Sequence, residues 1–257
     1  MNPAKTHDFG LAGQCAWVLG ASGAIGSAVA ELLAAHGATV WLSGRDKIKL
    51  DALQDKIARA GGQARVRVVD ASNTDEVTHA SREIFRQSGK LNLLVNSTAS
   101  STFGEFLDLT DADWERTFQN KLMVYVRSMR AVLPMMLKAG GGVIINISGK
   151  AGKLPSPAHL PGGSMNAAVN LLTKGVSDRY KDQGIRANTI APGPIVSARF
   201  DALAAQLATS PSANPVFMSR QGTPEDVAQA VAWLASPLAV HINGIVLPLD
   251  GGAMPTV

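Results

Sequence analysis

The sequence predicts one α/β domain: a doubly wound, Rossmann-like parallel sheet with helices on both faces. Three observations carry that expectation. Short apolar runs alternate with longer helical patterns along the chain, the β-α rhythm that buries a parallel sheet between helix layers. The runs are rich in Val, Ile and Leu with little polar alternation, as strands covered on both faces require. The first run also passes directly into a glycine-rich turn that opens a helix. A chain of 257 residues, 46% apolar and 17% charged, is long enough to bury one such core and too apolar to be disordered.

In chain order, the apolar runs 15–19, 39–42, 65–69, 91–95, 143–147, 186–190 and 244–247 read as about seven strands. Helical periodicity covers 25–36, 47–60, 114–138, 165–181 and 224–235. The last of these opens Thr223-Pro224-Glu225-Asp226, which places an N-cap, a first-turn proline and two acids at the positive end of a helix. Neither an internal repeat nor a linker is visible, so residues 1–257 read as a single domain, with 8–100 as a nucleotide-binding half and 101–257 as the second half. The Ser-, Pro- and Asn-bearing stretch 208–221 is the longest loop-like segment, and 197–221 is expected to act as a lid.

Composition removes several function classes. The net charge of +4 is mild and Lys and Arg are dispersed, so no nucleic-acid patch is expected. Cys15 is the only cysteine, which excludes a disulfide framework and a cysteine-based zinc site, and no other metal-ligand spacing occurs. The apolar stretch 143–147 is far too short to span a bilayer. Residues 1–10 contain no apolar signal core, and a cytoplasmic location is expected.

The first strand ends in Leu19-Gly20-Ala21-Ser22-Gly23-Ala24-Ile25-Gly26. Glycines at a strand-to-helix turn let backbone approach a pyrophosphate, whose charge the helix N-terminus favours. The second strand runs into Ser43-Gly44-Arg45-Asp46-Lys47. An acid at that strand end would bind a ribose 2′-hydroxyl and repel a 2′-phosphate, whereas the Arg45 guanidinium suits the phosphate. The arrangement favours NADP(H) over NAD(H); Arg45 and Lys47 read alone are also compatible with a solvated helix start.

These residues resemble the short-chain dehydrogenase/reductase family over nearly the whole chain. The turn at 20–26 is similar to its Thr-Gly-x-x-x-Gly-x-Gly motif, and Asp70 looks like its adenine-contacting acid. Asn96-Ser97-Thr98-Ala99 occupies the place of its Asn-Asn-Ala-Gly, Asn188 to Pro192-Gly193 that of its Asn-x-x-x-Pro-Gly, and Gly244 to Asp250-Gly251-Gly252 that of its closing strand. Ser197 brings a hydroxyl where a threonine usually meets the nicotinamide carboxamide. The resemblance implies a nucleotide set of Gly20, Ser22, Gly23, Ile25, Gly26, Arg45, Asp70, Ala71, Asn96, Pro192, Gly193, Ile195 and Ser197. It also implies a dimer or tetramer built through 114–138 and 165–181.

The chain departs from the family at its chemical centre. The two tyrosines, Tyr125 and Tyr180, are followed four residues on by Met129 and Gly184, so no Tyr-x-x-x-Lys exists. After Ile147-Ser148 the catalytic serine position is Gly149; thirteen residues on, the tyrosine position is Gly162; four further, the lysine position is Asn166. The family's Asn, seven positions after Trp114, is Lys121. In the family the tyrosine is the acid/base, the lysine lowers its pKa and holds the nicotinamide ribose, and the serine stabilises the reacting oxygen. Acid–base help is worth roughly 10²–10⁴ in rate, and glycine can supply none.

Lysine and asparagine have thus changed places, and Lys121 is expected either to restore a cation beside a cavity opened by Gly149 and Gly162 or to snorkel to solvent. His159, three residues before Gly162, is a substitute acid by type but falls in a Pro-rich turn, 155–161, expected at the surface. Ser148 is expected to point away from the serine position, since strand neighbours alternate. Ala24 and Ala99 add methyls where backbone should approach a nucleotide. Three readings stay open: an oxidoreductase with a remodelled acid; a non-catalytic member acting as a structural or regulatory subunit beside an active homologue or as a ligand-binding module, with or without bound nucleotide; or a non-redox enzyme using the enlarged cavity, for which no residue-level signal exists.

Overall fold

A computed structural model describes residues 8–99, 102–197 and 221–254. Seven strands form one sheet: β1 (Cys15–Leu19), β2 (Thr39–Ser43), β3 (Gln63–Val66), β4 (Leu93–Asn96), β5 (Gly142–Ile147), β6 (Ile185–Pro192) and β7 (Val246–Leu249). Their order is β3-β2-β1-β4-β5-β6-β7, and every pairing is parallel. The helices are α1 (Ala24–Ala35), α2 (Lys47–Arg59), α3 (Thr74–Ser88), α4 (Asp111–Thr117), α5 (Val124–Lys138), α6 (Leu160–Tyr180) and α7 (Pro224–Ala235). The chain winds outward from β1 in one direction and from β4 in the other. A crevice therefore opens where the carboxyl ends of β1 and β4 lie side by side, the usual ligand position in such sheets.

Alternating strand residues feed two cores. Ala16 and Val18 face the layer containing Val29 and Leu33 of α1 and Val227 and Val231 of α7. Trp17 and Leu19 face the layer of Val77 and Ile84 from α3, Met129 and Val132 from α5, and Val169 from α6. Cys15 is buried, and burial pushes its thiol pKa up.

Several elements differ from expectation. β3 lies two residues earlier than its apolar run and alternates in exposure, because an edge strand is not covered on both faces. The expected 114–138 helix is three pieces. A Thr110–Asp113 capping box starts α4 early, and a π-helical segment, Phe118–Met123, separates α4 from α5. α6 starts at Leu160 rather than 165, because Pro161 lies in its first turn, where a missing N–H is harmless. Gly162 and Gly163 are therefore helical. α3, which the apolar pattern did not single out, is marked by its Asn73 cap and by Gly89 in the left-handed region just past its end (φ 69°).

A buried polar chain crosses the sheet beneath the crevice. Ser128 Oγ donates to Asn96 Oδ1 (2.8 Å), Asn96 Nδ2 to Asn146 Oδ1 (2.8 Å), and Asn146 Nδ2 to Thr173 Oγ1 (2.8 Å). It fixes α5, β4, β5 and α6 to one another at the strand ends. Asn146→Ala leaves the Asn96 amide without its acceptor and opens a cavity, at a cost of about 2–4 kcal/mol. Urea unfolding should show a lowered midpoint at unchanged slope; an unmoved midpoint would deny the chain a structural role.

Candidate active site

The carboxyl ends of β1, β4, β5 and β6 enclose a cavity of about 360 Å³. Its wall runs from Gly23, Ala24 and Ile25 at the start of α1, across Ser97–Ala99 after β4, to Lys121, Gly149, His159, Gly162 and Asn166. Pro192 at the end of β6, with Gly193, Ile195 and Ser197 after it, completes it. Gly20, Ser22, Gly26, Arg45, Asp70 and Ala71 lie outside this wall, around the carboxyl ends of β1, β2 and β3.

The turn after β1 is tight at two glycines. Gly20 has φ +83°, and a Cβ there would stand 2.5 Å from the Ser97 carbonyl oxygen. A Cβ on Gly26 would stand 2.1 Å from the Gly20 oxygen. Gly23 has room, with 3.4 Å to its nearest neighbour, and Ala24 is exposed. No non-glycine residue among those described has a positive φ, so Ala24 and Ala99 carry no backbone strain. Gly23 caps α1 without a side-chain acceptor, which leaves the first-turn N–H groups directed out of the helix end.

At the end of β2, Ser43 is buried: its Oγ accepts from Trp17 Nε1 (2.9 Å) and donates to Arg67 O (2.7 Å). The next position, Gly44, leaves space in which a Cβ would come within 3.1 Å of Ser22 Oγ, and Arg45 is exposed. Asp70 Oδ1 accepts from the Ser72 hydroxyl (2.7 Å) and the Ser72 N–H (2.9 Å). Those bonds, helped by the Arg45 and Arg127 charges, hold the Asp70 carboxyl below its ordinary pKa. Asn96 requires a correction: its side chain belongs to the buried polar chain and does not reach the cavity. The segment 198–220, most of the expected lid, lies outside the described residues. Its two flanks are joined, since Val196 N donates to Gly222 O and Gly222 N to Pro194 O (both 2.9 Å).

At the other end, Lys121 does not snorkel. It is 4% exposed, and its Nζ donates to Ile147 O (2.7 Å), Thr98 O (3.0 Å) and Tyr125 Oη (3.1 Å). These three described acceptors surround the ammonium. The lysine sits within the π-helical segment, while Tyr125 lies in the first turn of α5. The Tyr125 hydroxyl also lies within bonding distance of Ile147 O (2.7 Å) and Thr98 O (3.0 Å), and complete burial pushes its pKa far up. Sequence reasoning noted Tyr125 only for lacking a lysine four residues later. The Lys121–Tyr125 spacing of four on a helix was the signal that could have found this pair.

His159 is not a surface residue of a loose turn. Its half-buried ring stacks on Phe103, with centroids 4.1 Å apart and planes 16° apart. Nδ1 lies 3.0 Å from Thr102 O. A carbonyl only accepts, so Nδ1 is assigned a hydrogen in this contact. A Cβ on Gly162 would fall 2.0 Å from both Cε1 and Nε2 of this ring. The imidazole therefore occupies the room that a side chain at 162 would take. In the same way, a Cβ on Gly149 would approach Asn166 Nδ2 at 2.9 Å. Asn166 is 7% exposed, and its Oδ1 has no hydrogen-bond partner; Thr98 Oγ1 is likewise buried without one. Ser148 reaches the cavity wall, but its hydroxyl is turned to Ile190 O (3.4 Å). Among the described residues no group of three or more His, Cys, Asp or Glu is placed to hold a metal ion, and no helix is long and apolar enough to cross a membrane.

A family model described as enoyl-(acyl carrier protein) reductase matches residues 20–254. The chain belongs to the short-chain dehydrogenase/reductase family. Within that family it is 32% identical to nodulation protein G of Rhizobium meliloti (strain 1021) over 245 residues, covering 95% of this chain and 98% of the relative. It is 30% identical to the 3-oxoacyl-(acyl-carrier-protein) reductase FabG of Chlamydia muridarum over 243 residues, covering 94% and 98%. A solved 7α-hydroxysteroid dehydrogenase, complexed with NADH and 7-oxo glycochenodeoxycholic acid, superposes with a TM-score of 0.86 at 28% identity, covering 95% of this chain and 96% of that one. The single seven-stranded α/β domain expected from the sequence is thus the family's architecture.

Proposed function

We propose that the chain is a nicotinamide-nucleotide oxidoreductase of this family, preferring NADP(H) to NAD(H). It acts on a carbonyl or alcohol without the family's usual serine, tyrosine and lysine. The observation that carries this reading is the single cavity joining the start of α1 to Lys121, His159 and Asn166. The residues fit the nucleotide. The open N-terminus of α1 suits the pyrophosphate, and the partnerless Asn166 Oδ1 offers an acceptor to a ribose hydroxyl. Ser22, Gly44 and Arg45 leave room and donors for a 2′-phosphate, with no acid at that strand end.

A bound reduced nicotinamide supplies hydride to a carbonyl carbon. Lys121 contributes positive potential at the cavity wall rather than a proton, because its N–H groups serve Ile147 O, Thr98 O and Tyr125 Oη. Glycines at 149 and 162 favour a second reading, a non-catalytic subunit of a hetero-oligomer with an active homologue; the first reading also allows a homo-oligomer.

Calorimetric titration with NADPH and NADH tests the oxidoreductase reading and its nucleotide preference. Micromolar NADPH binding, with NADH at least about tenfold weaker, is expected, and Arg45→Glu should reverse the order by removing a phosphate partner and adding repulsion. Binding of neither nucleotide would end the oxidoreductase reading, and copurification of an active homologue would then be the next test.

A further inference from the structure

We propose that the His159 imidazole is the proton donor and acceptor of this cavity, held in the space that a side chain at position 162 would fill. The inference rests on the nucleotide-dependent reading above and adds to it the group that moves the proton. Sequence alone placed His159 in a surface turn; three features of the structure place it otherwise. Its ring lies on the cavity wall with its Cε1–Nε2 edge against Gly162, close enough that any Cβ there would collide at 2.0 Å. Phe103 fixes the plane of the ring by stacking at 4.1 Å. Thr102 O fixes the tautomer by accepting from Nδ1 at 3.0 Å, so Nε2 is the nitrogen that takes up and releases a proton. The glycine at 162 is thereby accounted for, since a larger residue would expel the ring.

The step balances. Were a reduced nicotinamide bound, its hydride would add to the carbonyl carbon and the carbonyl π pair would move to oxygen. The oxygen takes the Nε2 proton of the imidazolium, and the ring is left neutral with Nδ1–H still on Thr102. Solvent returns the proton, and alcohol oxidation runs the same transfers in reverse.

The placement has a signature that needs no substrate. The oxidised nicotinamide ring carries a positive charge and the reduced ring does not, so a protonated His159 beside it weakens NADP⁺ but not NADPH. Protonation prevails at low pH. The ratio Kd(NADP⁺)/Kd(NADPH) should therefore be higher at pH 5.5 than at pH 8.5, by on the order of tenfold. Titration of the 2′-phosphate is common to both ligands and cancels in the ratio. The other charged side chains on the described cavity wall are Lys121, from the π-helical segment, and Lys150, just after β5. Glu105, next to the loop residue Gly104 that bonds to Ala158, is exposed. The first turn of α6 (Leu160, Pro161, Gly162, Gly163) contributes no charge.

Two variants assign the effect. His159→Asn keeps a donor for Thr102 O but cannot titrate, and Gly162→Ala drives the ring from its place. Both should bind NADPH and show a ratio that no longer changes with pH. If both nucleotides bind wild type but the ratio is flat, or if its pH dependence survives in His159→Asn, the role of His159 is refuted and the nucleotide reading stands. If neither nucleotide binds wild type, both fall together.

Discussion

Gly26→Ala should abolish nucleotide binding and lower the melting temperature. The new methyl would lie 2.1 Å from the Gly20 oxygen, 2.8 Å from the Gly20 carbonyl carbon and 3.0 Å from the Ala21 Cα. All three are backbone atoms, so no side chain can swing aside and α1 must move off the turn. Overpacking of this kind costs about 1–3 kcal/mol, which in a domain of this size lowers the melting temperature by roughly 3–10 °C. The loss of binding is the larger expected effect, because the displaced helix start is the proposed pyrophosphate site; a fall of at least about 100-fold in NADPH affinity is expected. Gly23→Ala is the control, since its methyl would have 3.4 Å of clearance and should leave the fold intact. Calorimetry and thermal melting of the two variants give the comparison. Wild-type affinity in Gly26→Ala would show that the turn does not hold the ligand.

Lys121→Met should weaken NADPH binding about tenfold and cost about 1–3 kcal/mol of stability, and the two effects have different origins. Hydrogen bonds from a charged donor contribute about 1.5–3 kcal/mol each, and Lys121 makes three to described residues. Against them stands the penalty of burying an ammonium, several kcal/mol even after relaxation. These nearly cancel. What remains is a bare acceptor: the single Tyr125 proton can serve Ile147 O or Thr98 O but not both, leaving one carbonyl unpaired at about 1–3 kcal/mol. The expected affinity loss comes from removing a buried positive charge from the wall of the cavity proposed to hold the anionic nucleotide. Lys121→Arg should not restore it, because a planar guanidinium does not fit three acceptors set around a tetrahedral ammonium. Unchanged affinity in Lys121→Met would make the lysine a purely structural clamp between the ends of β4 and β5.

The fold was legible because it is written in local chemistry. Apolar runs placed all seven strands within two residues at most boundaries, and the Thr223-Pro224 start of α7 was read to the residue. The tight turn after β1 was also legible, since Gly20 and Gly26 stand where backbone packs on backbone too closely for a Cβ. The other end was not. His159 and Gly162 lie on one helix start, but nothing in their spacing says that the imidazole ring stands where a Cβ would be; Phe103 and Thr102, more than fifty residues earlier, put it there. Lys121 was open between cavity and solvent because its direction depends on a π-helical turn, which leaves no mark in an apolar pattern. Asn96 was assigned to the ligand by its motif, whereas tertiary hydrogen bonds turn its side chain into the sheet.

The burial of Cys15 has a practical side. Thiol reagents attack the thiolate, and this sulfur is both shielded in β1 and kept protonated by its surroundings. It is the only cysteine in the chain. A single cysteine introduced at an exposed position would therefore be the one site to react with a maleimide dye, without first engineering away a native thiol. Val196→Cys, on the cavity's flank at 46% exposure, would place an environment-sensitive fluorophore beside the crevice and convert nucleotide entry into an optical signal.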